Sequence, residues 1–195
     1  MRSMAKRKSP NPNDYFPLVA ASFPEYKSFL KSKKIASEEL IELHWSGEKF
    51  VGSVPFSWRS KPCNSWVEGE IAGRHLLKYS VKLFSDSFGS VPCARLCSRG
   101  SPHVNQFDGN RLRERTVPCP HFHRVDSTGW AKAYYGKHLP AEKRAEISKS
   151  VALGTEVFCQ EFNVQSPSGG FVVLKQITES LALSTNGGMD STKFP

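Results

Sequence analysis

The chain lacks a long apolar segment and has few cysteines. No run among its 195 residues approaches the ~20 apolar residues needed to cross a bilayer, and the basic residues 1–8 precede PNPNDYFP instead of the apolar core of a signal peptide. The five cysteines are an odd number in a chain that is long enough to fold without disulfides. The sequence therefore predicts a reduced, cytoplasmic protein that does not enter a membrane.

Acidic residues are scarce relative to basic residues. The chain has 18 Asp and Glu against 27 Lys and Arg, which gives a net charge of +9. This charge attracts polyanions, because neutralising phosphates releases their condensed counterions. We therefore expect RNA or another single-stranded nucleic acid as the partner. The alternative is that the basic balance serves only solubility.

The composition predicts one folded domain between two tails. Residues 1–13 combine charge, Ser, Pro and Asn without apolar periodicity, which predicts a disordered basic arm. Residues 186–195 have the same character and are expected to form a disordered tail. Residues 14–185 contain the aliphatic and aromatic residues of a core, and their number suits a single domain.

The first half of the domain changes from helical to strand periodicity. Residues 14–43 show apolar residues at helical spacings interrupted by Pro17 and Pro24, so one or two amphipathic helices are expected. Residues 45–99 form short β-rich runs separated by Gly, Ser and Pro. This pattern predicts an antiparallel meander.

The second half adds strands and a helix. Two strands are expected around a turn at residues 126–129, and a helix is expected to begin at Pro140 and to end before residues 167–170. The last apolar run, from Phe171, is predicted to start as a strand. The expected fold class is α+β, with a mostly antiparallel β-sheet packed against N-terminal and C-terminal helices.

The segment from Arg95 to Trp130 contains three of the six histidines and many arginines. His121 and His123 are two residues apart, so on a strand they project from one face while Phe122 points into the core. His103 follows a Pro in a loop and could meet them. We therefore expect the three histidines to share a cleft with at least two of three arginines, Arg95, Arg111 and Arg124.

Such a cleft could cleave RNA without a metal. Imidazoles that titrate near pH 7 act as general base and acid, and guanidinium groups stabilise the charge that grows on a phosphate. The catalytic candidates are His103, His121, His123, Asn105 and Asp108. The candidates for nucleic-acid binding are Arg95, Arg99, Arg111, Arg124 and Lys132.

The same segment could instead bind a metal or serve only the fold. The three histidines with Cys119 or Asp108 offer ligands that suit Zn²⁺. However, the chain lacks the paired, closely spaced Cys and His elements of a structural zinc site, so we expect no metal and no cofactor. Histidines that follow Pro also cap loops, and the C-x3-C pair Cys93 and Cys97 suits half-buried apolar positions.

Several short motifs occur in a fixed order along this segment. They are Arg95, Pro102-His103-Val104-Asn105, Asp108-Gly109, Pro120-His121-Phe122-His123 and Trp130-Ala131. With the closing FCQEFNV of residues 158–164, they resemble an uncharacterised bacterial domain family over roughly residues 45–165. The resemblance implies the fold and no known activity. In this chain Gln106-Phe107 replaces a single Pro of the family pattern, and Leu96-Cys97 follows Arg95 where the family has an Asp.

The order of these Arg, PH and PHxH motifs is also similar to that of small toxins of bacterial toxin–antitoxin modules, a resemblance that implies RNA cleavage and a protein antitoxin. The sequence therefore predicts an RNA-binding protein and a candidate endoribonuclease. One alternative is a non-enzymatic interaction or inhibitor protein from a mobile element or phage. Another is a zinc-binding protein with a His/Cys site.

Overall fold

The computed structural model describes residues 15–58, 64–74, 77–105 and 116–177. The predicted arm and tail, residues 1–13 and 186–195, lie outside the described residues. The helices are α1 (Pro17–Ala21), α2 (Phe23–Lys31), α3 (Arg144–Ile147) and α4 (Val151–Phe162). The strands are β1 (Lys34–Ala36), β2 (Leu40–Ser46), β3 (Lys49–Trp58), β4 (Ser65–Ala72), β5 (Tyr79–Ser85), β6 (Ala94–Cys97), β7 (His103–Val104), β8 (Thr116–Val117), β9 (His121–Val125), β10 (Ala131–Tyr134), β11 (Val164–Gln165) and β12 (Val173–Gln176).

Ten of the described strands form one mostly antiparallel sheet, in the order β10-β9-β6-β5-β4-β3-β1-β11. β2 also pairs with β3, and β12 pairs with β2 in parallel. β7 and β8 form a separate two-stranded sheet. The helices and the large sheet confirm the predicted α+β class. None of the helices in the described ranges is long and apolar enough to cross a membrane.

The prediction of helix throughout residues 14–43 is wrong in its second part. α2 ends at Lys31, and the chain then enters β1 and β2. Within β2 the buried residues Ile41 and Leu43 alternate with the exposed Glu42, which is the two-residue period of a strand. Pairing of β1 with both β3 and β11 stabilises the extended conformation of a segment whose own apolar spacing is ambiguous.

The helix predicted from Pro140 is divided into a short 3-10 turn, α3 and α4. The Tyr79 hydroxyl of β5 donates to the carbonyl of Ile147 at 2.6 Å, at the point where α3 ends. Ser150 then caps α4, because its side chain accepts a hydrogen bond from the Leu153 amide. A Cβ at Gly154 would collide with the Tyr79 hydroxyl, so glycine permits this close approach of helix to sheet. The break therefore arises from tertiary contacts.

The predicted hairpin at residues 126–129 is confirmed. Asp126 accepts hydrogen bonds from the amides of Thr128 and Trp130, which closes the turn between β9 and β10. The two strands pair from Ala131 opposite Val125 to Tyr134 opposite Phe122. This turn fixes the register of β10 on β9.

The sheet has one apolar face and one polar face. Val81, Leu96 and Phe122 lie on the apolar face, in a core that also contains buried residues of α2 and α4. The alternate residues of the same strands carry charged and polar side chains, such as Glu68 and Lys82. The predicted histidine pair lies on this polar face.

Candidate metal centre

Strand pairing places two histidines, a cysteine and an arginine on one patch of the polar face. β9 pairs with β6 so that His121 lies opposite Cys97 and His123 lies opposite Arg95. Residues directly opposite each other in an antiparallel pair have side chains on the same face, about 5 Å apart. The i, i+2 spacing within each strand then brings all four side chains together.

The two imidazoles are in direct contact. The Nε2 atoms of His121 and His123 are 2.8 Å apart. Together with the Cys97 sulfur, one ligand atom from each residue lies within 4.8 Å of the others. His121 is only 2% exposed and His123 only 7% exposed. In the three residues, called the Cys97–His121–His123 cluster below, the histidines are therefore shielded from bulk water and Cys97 is partly exposed.

His103 joins the same neighbourhood from β7. The centroid of its ring is 4.7 Å from that of His123, and the two rings are perpendicular. His103 is close to the cluster, but none of its atoms is among the three mutually close ligand atoms. The Asn105 side chain exchanges two hydrogen bonds with the backbone of Ala133, which attaches this loop to the edge of β10. Asn105 thus positions the segment that carries His103.

Arg95 contacts the cluster directly. One of its terminal nitrogens lies 3.2 Å from His123 Nε2, the atom that His121 also approaches. A neutral imidazole nitrogen makes one hydrogen bond, as donor or as acceptor, so it cannot satisfy both contacts. Among the described residues, Arg95 Nε and His123 Nδ1 are buried and have no hydrogen-bond partner. The polar groups of this patch are therefore incompletely satisfied.

Burial controls the protonation of the cluster. It lowers the pKa of His121 and, reinforced by the Arg95 charge, lowers the pKa of His123 to about 2. Burial likewise raises the pKa of the Cys97 thiol. A neutral imidazole can bind a metal, but with a pKa this low His123 cannot act as a general acid near pH 7.

A polar groove of about 390 Å³ continues from the cluster across the sheet. Lys78, Arg95, Cys97 and Arg99 contribute to its lining. Two carboxylates of the same face are already ion-paired, because Lys82 contacts Glu68 at 2.8 Å and Glu70 at 2.6 Å. Glu70 also contacts Lys49. The groove therefore has an excess of positive charge beside Cys97.

Not every predicted residue joins this site. Arg124 projects from the opposite face of β9 and lies over the Tyr134 ring, and Lys132 is ion-paired with Asp126. Arg124 lies on the face opposite the histidines because it differs from His123 by one residue on a strand, so the prediction of at least two arginines in the cleft depends on Arg111 beside Arg95. Asp108 and Arg111 lie outside the described residues.

Cys97 belongs to the cluster, although the sequence favoured a half-buried apolar position for it over a ligand role. Cys93 does not accompany it, since Cys93 is buried in the apolar core. The signal that could have revealed Cys97 is its i, i+2 spacing from Arg95 in a strand. That spacing becomes informative only once β6 is known to pair with the H-x-H strand.

Comparison of the chain with protein-family models, with curated proteins and with solved structures finds no match.

Proposed function

We propose that this protein binds a transition metal ion, with Cys97, His121 and His123 as the ligands. The observation that carries the proposal is the convergence of these three ligand atoms to within 4.8 Å on a buried patch. Imidazole nitrogen and thiolate sulfur together suit Zn²⁺ and related first-row metals. The proposal departs from the sequence-based expectation of no metal, because that expectation did not pair Cys97 with the histidines.

The spacing of the ligand atoms fits such a centre. With Zn–N distances of about 2.0–2.1 Å and a Zn–S distance of about 2.3 Å, the ligand atoms of a tetrahedral site lie roughly 3.3–3.7 Å from one another. The Nε2 atoms of His121 and His123, 2.8 Å apart, need to separate by only about half an ångström. The Cys97 sulfur, within 4.8 Å of the other two ligand atoms, needs to approach by at most about 1.5 Å.

Three ligands leave a fourth coordination position. Catalytic zinc centres typically use three protein ligands, whereas structural centres use four. His103 is near the cluster but outside the mutually close set of three. The buried, neutral imidazoles favour metal binding over metal-independent acid–base cleavage, because cleavage also requires a protonated group that reaches the substrate.

Elemental analysis of the purified protein tests the proposal. We expect about one zinc per chain after zinc is supplied and the protein is desalted. Cys97→Ser, His121→Ala and His123→Ala should each remove most of the metal, since each deletes one of three ligands.

Two further variants sharpen this test. His103→Ala should retain the metal if His103 is not a ligand. His44→Ala should also retain the metal, because His44 is exposed on β2, outside the cluster. A wild-type protein without metal, or Cys97→Ser protein with the full metal content, contradicts the proposal.

Binding of single-stranded RNA is a second candidate function. The observation that favours it is the basic groove beside the cluster, in which Lys78 and Arg99 are exposed. Cations that line a groove attract a phosphate backbone, and the net charge of +9 adds a long-range attraction. If the protein cleaves the bound RNA, the effect of EDTA distinguishes two mechanisms of cleavage. EDTA inhibits a metal-dependent enzyme, whereas a metal-independent toxin-type ribonuclease stays active.

We expect RNA binding that weakens with salt. Fluorescence anisotropy with a labelled oligoribonucleotide measures the association constant. Its logarithm should fall linearly with the logarithm of the salt concentration, with a slope of about −0.7 per phosphate contact. The double variant Lys78→Ala/Arg99→Ala should make this slope shallower by about 1.4, since two contacts are lost.

The matched control for RNA binding is Lys27→Ala/Lys31→Ala. This double variant removes the same charge from exposed positions of α2, which packs on the apolar face of the sheet. Equal effects of the two double variants would show that only net charge matters, and the groove would then be discarded as the binding surface.

A further inference from the structure

We infer that the metal centre is also an oxyanion site, in which Arg95 and the fourth coordination position together bind a phosphate group. This inference rests on the proposed metal centre. It assigns the ligand class, a phosphate oxyanion, and it assigns Arg95 as the residue that recognises it.

The first argument is the loss of an acceptor when the metal binds. A terminal nitrogen of Arg95 lies 3.2 Å from His123 Nε2, which can accept its hydrogen bond only through the ring lone pair. A metal takes the same lone pair, because Nε2 is the atom of His123 that faces His121. Arg95 then loses this acceptor, and its Nε is already buried without a partner among the described residues. A half-buried guanidinium with a buried, unpartnered Nε gains free energy from an acceptor supplied by a ligand in the groove.

The second argument is charge balance. A divalent metal, one thiolate and one guanidinium leave a net positive charge in a patch that is largely buried. The carboxylates that strand pairing places on this face, Glu68 and Glu70, are ion-paired with lysines. The groove beside the centre is lined by five cationic residues and only two carboxylates, Glu48 and Glu70, so a bound anion can balance the remaining positive charge.

The third argument is access. Arg95 and Cys97 both line the groove of about 390 Å³, so an anion in the groove can reach the guanidinium and the edge of the metal centre together. Arg95 presents a planar set of donors that matches a phosphate. Lys78 and Arg99 add exposed positive charge along the same groove.

Cobalt substitution tests the inference, because Co²⁺ reports its coordination by visible absorption. The probe is inorganic phosphate, added to the Co²⁺-loaded full chain at constant ionic strength maintained with chloride. We expect a saturable shift of the d–d bands. Arg95→Gln should retain cobalt and weaken the apparent phosphate affinity on the order of 10- to 100-fold, the effect of losing hydrogen bonds to a charged group.

Two comparisons keep the outcome interpretable. Arg95→Lys retains the charge without the planar donor set and should bind phosphate with intermediate affinity, which covers the case that Arg95→Gln does not fold. Arg124→Gln removes an arginine from the opposite face of the neighbouring strand and should match the wild type. An unchanged spectrum with phosphate, or equal affinities in Arg95→Gln and wild type, overturns the inference while the metal centre stands.

A short oligoribonucleotide distinguishes the source of the phosphate. If it produces the same spectral shift and competes with inorganic phosphate, the oxyanion site accepts the phosphodiesters of nucleic acid. If only inorganic phosphate shifts the bands, the site accepts free phosphate or a monoester, and the oxyanion site is equally supported. If the chain binds no cobalt at all, the metal centre and the oxyanion inference both fail.

Discussion

Chelation should lower the melting temperature of the zinc-loaded protein by about 8–16 °C. A metal present at about 1,000 times its dissociation constant stabilises the folded state by about 4 kcal/mol, provided that the unfolded chain binds it weakly. In a protein of 150–250 residues, each kcal/mol corresponds to a shift of about 2–4 °C. Circular dichroism melts with and without EDTA measure the difference.

This stabilisation has a structural basis in the location of the cluster. Cys97 and the two histidines join β6 to β9 in the interior of the large sheet, so a metal at this point links two strands that are separated in sequence. Metal binding therefore contributes directly to the free energy of unfolding. His121→Ala protein should melt at the same temperature with and without EDTA.

His44→Ala is the control for the melting experiment. Its histidine is exposed and lies outside the cluster, so the variant should show the full response to EDTA. Wild-type protein that carries zinc but melts unchanged in EDTA would mean that the metal binds at a site with no role in stability, and the Cys97–His121–His123 cluster would not be that site.

Phe122→Ala should destabilise the protein by about 3–5 kcal/mol. Phe122 is 0% exposed, and its ring packs edge-on against Phe162 of α4 with 5.6 Å between the centroids. Truncation removes the burial of the ring and leaves a cavity that the surrounding side chains fill only in part. Urea unfolding of the zinc-saturated protein measures the change as a lower midpoint at constant m-value.

Phe171→Ala is the matched control, since it removes the same side chain from a position that is 39% exposed. We expect its effect to be well below that of Phe122→Ala. The comparison also tests the orientation of β9, because successive side chains of a strand alternate and only one of its faces packs on the core. Equal stability of Phe122→Ala and wild-type protein would contradict the placement of Phe122 on the core face.

The orientation of the histidines also changes the expectation for their substitution. A histidine on the face of a strand opposite the core contributes little to stability where that face is exposed to solvent. His121 and His123 are both buried, because β7 brings His103 over the polar face of the sheet. Their replacement is therefore expected to affect stability as well as metal content, which is why metal content is measured directly.

Local pattern in the sequence determined the strands and the facing of their side chains. The alternation in residues 121–125 places both histidines on one face and Phe122 on the other, since successive side chains of a strand point in opposite directions. The Asp and Gly residues at 126–129 specified the turn that joins β9 to β10. The α+β fold class followed from these patterns and from the helix predicted to begin at Pro140, part of which is α4.

Only the tertiary structure decided which strands are neighbours, and that choice created the site. β6 and β9 are separated by more than twenty residues, so no local pattern places Cys97 opposite His121 or Arg95 opposite His123. Tertiary contacts likewise turned residues 34–36 into a strand and divided the C-terminal helix at Ser150, because pairing and packing energies exceed the small differences in local propensity.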